Sequence, residues 1–204
     1  MKNFEYDKSR VINFSDAVFS IAMTLLVLEI AIPSARQVKT DGTWSVLSNL
    51  IPNFVGFLVS FFVIALYWIA HLRLMKYVSS IPSKLLWLNI LLLLFVVLLP
   101  FSTAFYSGGF VHTGPFVFYS LNLAIIGIFN YLMIRYVSKK EGVALGLDTI
   151  TAKWLKWRAL NVVYVWIFAA ICAFTFFWVS RFAFVLIFII QPFIDRRYRK
   201  KLNS

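Results

Sequence analysis

Apolar positions run along this chain in blocks too continuous for the core of a soluble domain. Roughly residues 10–32, 46–75, 84–106, 114–137, 154–178 and 180–195 form six such blocks. A helix rises 1.5 Å per residue and the hydrocarbon core of a bilayer is about 30 Å thick, so about 20 apolar residues cross it. The pattern predicts an all-α polytopic membrane protein with six transmembrane helices, one unit over residues 1–204. Pro33, Ile81-Pro82, Gly108-Gly109 and Gly114-Pro115 punctuate four of the connections. Gly56, Pro100 and Gly127 fall inside blocks instead. Only Ser180 and Arg181 interrupt the last apolar stretch, where a tight hairpin is expected, because one helix over 154–195 would be about twice the bilayer thickness.

Composition strengthens this picture: 61% of the 204 residues are hydrophobic, 19% aromatic and 14% charged, with a mean hydropathy of +0.83. The net charge of +12 alone would allow a nucleic-acid partner. Its distribution points to a membrane. With a cytoplasmic amino terminus and six crossings, the inner side holds Lys2, Lys8, Arg10, Arg73, Lys76, Lys84, Arg135, Lys139, Lys140, Lys153, Lys156, Arg158, Arg196, Arg197, Arg199, Lys200 and Lys201. Only Arg36, Lys39 and Arg181 remain outside. This is the positive-inside asymmetry, and it puts both termini in the cytoplasm. The basic tail after Asp195 serves to anchor topology or to meet anionic lipid. The opening residues carry charges of both signs and no small-residue cleavage site follows the first apolar run, so no removable signal peptide is expected. Cys172, the single cysteine, sits in an apolar aromatic segment and reads as a packing residue.

The first block carries the candidate chemistry. Ile21, Leu25, Leu28 and Ile32 recur at helical spacing on one face, with Thr24 at its edge and Asp16 well off it. Such a stripe can meet lipid, pack against helices or line a passage. Asp16 near hydrocarbon costs about 2.5–3.5 kcal/mol if unpaired, so it needs partners. Arg10 lies six residues away and on a different side of the helix. Ser15, Trp68, His71 and Asn89 are expected at the same depth, and with Arg10 and Asp16 they compose a polar cluster that either locks the first three helices together or meets a permeating ligand.

Arg10, Phe14, Ser15 and Asp16, followed by Ala-Val-Phe-Ser-Ile-Ala-Met-Thr-Leu-Leu-Val-Leu, resemble the signature first helix of the transmembrane protein 175 family, and Trp68-Ile-Ala-His71 resembles its second helix. With one Phe-Ser-Asp copy, the chain resembles the bacterial, single-unit branch. The resemblance implies a potassium-permeable cation channel of the bacterial plasma membrane, a homotetramer whose first helices line the pore. It assigns the hydrophobic constriction to Ile21, then Leu25 and Leu28, cation selection to Thr24, and the network holding the pore helix to Arg10, Ser15, Asp16, Trp68 and His71. It implies no cofactor. No Thr-Val-Gly-Tyr-Gly filter segment occurs in the sequence. Glu29 beyond Leu25 would either concentrate cations at the mouth or join a salt bridge.

A secondary transporter coupled to protons or another cation is the alternative, with Asp16 and His71 as a relay. No internal repeat favours it. An intramembrane enzyme is not expected: His71 and His112 are predicted on opposite sides, and no His-Glu-xx-His, Gly-x-Ser-x-Gly or paired-carboxylate motif occurs.

Overall fold

Asp7 sets the start of helix α1 (Lys8–Leu28): its backbone is extended and its carboxylate accepts from the amides of Ser9 and Arg10. The helix ends at Leu28, short of the expected Ile32, because the Pro33 ring would collide with the carbonyl of Glu29 and biases Ile32 away from helical dihedrals. Ile32 therefore leaves the stripe. The coordinates are a computed structural model describing residues 5–139 and 143–202, with side chains as far as Tyr198. Lys2, Lys140 and the side chains of Arg199, Lys200 and Lys201, counted above among the inner charges, lie outside the described residues.

Two short exposed helices follow, α2 (Ala35–Asp41) and α3 (Thr43–Asn49), joined by Gly42 at φ 79°, a dihedral that favours glycine. The second of them takes up the first residues of the block expected to be helical from 46. Helix α4 (Ile51–Met75) begins instead at Pro52's turn, since a continuous helix would drive the Pro52 ring into the carbonyl of Ser48. The third block is also divided. Helices α5 (Ser83–Val97) and α6 (Leu99–Gly108) meet at Leu98, with Pro100 in the first turn of α6. Helix α7 (Thr113–Val137) matches its block closely. Helix α8 (Thr149–Cys172) starts earlier than expected because Asp148 caps it, accepting from the amides of Ile150 and Thr151.

The last block departs most from expectation. The turn lies at 173–176, where the Phe176 amide donates to the Cys172 carbonyl at 2.8 Å, and not at Ser180-Arg181. Both of those residues belong to a six-residue helix, α9 (Phe177–Phe182), followed by α10 (Val185–Leu202). Five segments among the described residues have the length and apolarity to cross a membrane: α1, α4, α5 with α6, α7 and α8. Helix α10 is not among them, as its second half is charged.

Helices α7 and α8 form the centre of the bundle, with Leu123, Ile126, Met133, Trp166 and Ala169 buried. Gly127 permits their approach, since a Cβ there would lie 2.8 Å from a Val163 methyl. Backbone ties order one end of the bundle. A two-residue ladder pairs β1 (Glu5–Tyr6) antiparallel with β2 (Ile81–Pro82), and the Leu145 amide donates to the Tyr77 carbonyl at 2.8 Å. These contacts gather the start of α1, the α4–α5 turn and the approach to α8 at one end. Helix α10 returns beside α8, where Asp195 accepts from Trp154 at 2.8 Å and pairs with Arg158.

Candidate functional site

The buried side of α1 is Val11, Ser15, Phe19, Ala22 and Leu26, at steps of four, four, three and four residues. This face packs on α4, α5 and α6. Ser15 is wholly buried within it. Its hydroxyl donates to the Val11 carbonyl at 2.8 Å and accepts from Asn89 Nδ2 at 2.9 Å. That donation orients the Asn89 amide, so Oδ1 faces His71 Nε2 at 2.8 Å. The bonding pattern thereby assigns the His71 proton to Nε2. Nδ1 of His71 has no partner among the described residues, and the ring rests against Phe19 with centroids 5.7 Å apart.

Asp16, the next residue of α1, turns towards α4, where Trp68 Nε1 donates to its Oδ1 at 2.8 Å. Trp68 and His71 are three residues apart and share one face of α4, so adjacent residues of α1 are gripped by neighbouring residues of α4. Of the six polar residues singled out in the sequence, Ser15, Asn89 and His71 form one chain of hydrogen bonds and Asp16 with Trp68 a second. Arg10 stands apart: its side chain is exposed and makes no hydrogen bond or ion pair among the described residues.

Thr24 lies about half a turn from the packed face. Ile21 and Leu28 flank it, 55% and 74% exposed, and Leu25 sits nearer the edge at 38%. Thr24 Oγ1 donates to the Ile21 carbonyl at 2.8 Å, which satisfies its proton inside the helix and leaves oxygen lone pairs outward. No protein segment among the described residues covers this face. Nor is there any group of three His, Cys, Asp or Glu side chains suited to a metal ion among them.

Several polar contacts had no signal beyond an isolated polar residue in an apolar run. Ser60 bonds Tyr119 at 3.0 Å and Thr103 at 2.9 Å, and Asn122 donates to Ser102 at 3.1 Å beside the α5–α6 break. Arg181, read from sequence as a turn residue, is buried among aromatic rings.

Membrane-length helices, one of them anchored by buried polar groups and bare on its other side, define a multi-pass helical membrane protein. A family model described as "Endosomal/lysosomal potassium channel TMEM175" matches residues 10–100. A potassium channel of Chamaesiphon minutus is 32% identical over 182 residues, 81% of this chain and 90% of that one. A potassium channel of a Chryseobacterium species is 24% identical over 198 residues, covering 97% and 98%. The endosomal/lysosomal proton channel TMEM175 of Gallus gallus is 39% identical over 99 residues, 46% of this chain and 20% of that much longer one. The crystal structure of a lysosomal potassium-selective channel TMEM175 homolog from Chamaesiphon minutus superposes with a TM-score of 0.77 at 27% identity, over 94% of this chain and 97% of that chain. The chain belongs to the TMEM175 family, in its bacterial branch, and the family's members are ion channels rather than enzymes.

Proposed function

We propose that this chain is one subunit of a homotetrameric, potassium-permeable cation channel of the bacterial plasma membrane, with four copies of α1 around the pore. The observation that carries this reading is the division of α1 into an anchored face and a bare one. Ser15 and Asp16 fix the first through Asn89, His71 and Trp68, while Ile21, Thr24 and Leu28 stand free of the subunit. One helix cannot enclose a pore, so cyclic assembly is required. Rings of Ile21, Leu25 and Leu28 then form an apolar neck that gates by dewetting, in place of a carbonyl filter. Thr24 oxygens supply the polar layer that biases the ion passing. The bacterial relatives' potassium permeation supports potassium as the ion.

Six crossings complete the topology. The apolar residues of α9 and the first half of α10 together supply the sixth, and the contact of Asp195 with Trp154 and Arg158 near the start of α8 supports a carboxyl terminus on the amino-terminal, cytoplasmic side.

Reconstituted vesicles loaded with K⁺ or Na⁺ test the reading. Passive currents should reverse at the Nernst potential for K⁺, Ile21→Ala should raise resting flux several-fold by widening the neck, and Thr24→Val should change the K⁺/Na⁺ ratio. Unchanged flux in Ile21→Ala and Leu25→Ala would remove these residues from the constriction. Obligatory coupling to protons or a second cation would replace the channel by a secondary transporter.

A further inference from the structure

Arg181 is 7% exposed, yet no carboxylate pairs with it among the described residues. Its guanidinium lies 4.0 Å from the Phe116 ring centroid and 4.3 Å from that of Phe177. Its terminal nitrogens donate to Ser180 Oγ at 3.0 Å and to the carbonyls of Phe110 and His112 at 3.1 and 3.3 Å. These bonds pin α9 to the α6–α7 turn. They leave the Nε proton without an acceptor among the described residues. Ring faces and carbonyls are attractive partners for a cation, but they carry no net charge to neutralise it.

Beside this cation is a cavity of about 240 Å³ lined mostly by apolar and aromatic side chains, with Val55, Val59, Trp166, Trp178 and Phe182 in its wall and the arginine as its one charged residue. Trp178, Phe182 and Val55 are more than half exposed, so the cavity opens at the bundle surface. No residue of α1 lines it, which separates it from the face proposed for the pore. We propose that this cavity is a binding site for an anionic phospholipid, with the phosphate on the Arg181 guanidinium and an acyl chain along the apolar wall. Charge complementarity selects the headgroup: arginine is the side chain best matched to phosphate, and basic pockets between membrane helices recruit anionic lipids. The apolar wall selects a lipid over a free anion. The surrounding tryptophans suit the level of the headgroups.

Native mass spectrometry of the full, delipidated chain, re-equilibrated with phosphatidylglycerol and phosphatidylcholine of identical acyl chains, tests the site. The wild type should retain phosphatidylglycerol about fivefold better, the worth of one basic group at a charged membrane surface. Arg181→Gln should bring the two lipids to parity. Val55→Trp, at an exposed position, should also abolish the preference by filling the groove while the guanidinium remains, and it decides the matter if Arg181→Gln fails to fold. Equal retention of phosphatidylglycerol by the wild type and folded Val55→Trp would overturn the proposal. Full displacement of the lipid by inorganic phosphate alone at equal concentration would overturn it too, revealing a free-anion site.

Discussion

Asn89 uses both ends of its amide, donating to Ser15 on α1 and accepting from His71 on α4, so one side chain of α5 holds two neighbours. Replacing it with leucine keeps the branching of the side chain but strands the Nε2–H of His71 in a dry site. The expected loss is about 1–3 kcal/mol, measured by thermal unfolding in detergent. Ser15→Ala removes the same amide–hydroxyl bond from the other side. The Ser15→Ala/Asn89→Leu double variant should therefore lose less than the sum of the two single losses. Trp68→Phe tests the second anchor separately, because it keeps an aromatic ring while removing the indole donor to Asp16. Those pairings were partly legible in the residues themselves: polar groups on apolar helices must find one another. That Ser15 takes Asn89 and Asp16 takes Trp68 follows from how α4 and α5 flank α1.

Helix ends follow local chemistry more faithfully than helix blocks do. Pro33 ends an apolar run, Pro52 and Pro100 interrupt runs that continue past them, and in each case the ring excludes the carbonyl four residues back. Asp148 does the reverse, extending α8 beyond its apolar block. The Thr151 hydroxyl bonded to the Asp148 carboxylate, together with the amides it caps, holds that carboxyl below its usual range. A group whose folded pKa is depressed stabilises above its unfolded pKa and loses that contribution as pH falls through the folded value. Asp148→Ala should thus cost about 1 kcal/mol near neutrality. The gap between wild type and variant should close in melting curves taken well below about pH 4.

At the scale of the molecule, the two central helices α7 and α8 approach closely where Gly127 meets Val163. Gly127→Ala places a methyl 2.8 Å from the Val163 side chain, so it should lower the melting temperature, with a cost of about 1–3 kcal/mol from overpacking. Val163→Ala in the same chain should recover part of it. Assembly is tested at α1. In a chain with Cys172 replaced by alanine, Thr24→Cys should form disulfide-linked dimers between copies on oxidation, because four such residues would face one axis. Trp87→Cys, exposed on α5 away from that face, should not. Cross-linking of Trp87→Cys but not Thr24→Cys would place α1 at the periphery.

Long apolar runs made a helical membrane protein unavoidable, because backbone polar groups in hydrocarbon must be satisfied within the helix. The sequence also marked α1, since Ser15 and Asp16 demand partners and the spacing of Ile21, Leu25 and Leu28 defines a face. Where α8 ends and α9 begins was not written locally: no proline or glycine marks the turn at 173–176. Nor was the burial of Arg181, which depends on rings from three segments converging around one guanidinium. Local sequence fixes what a segment must bury, because solvation is a property of each side chain. Which partner meets it is decided only when the helices pack, because those contacts join residues far apart in the chain.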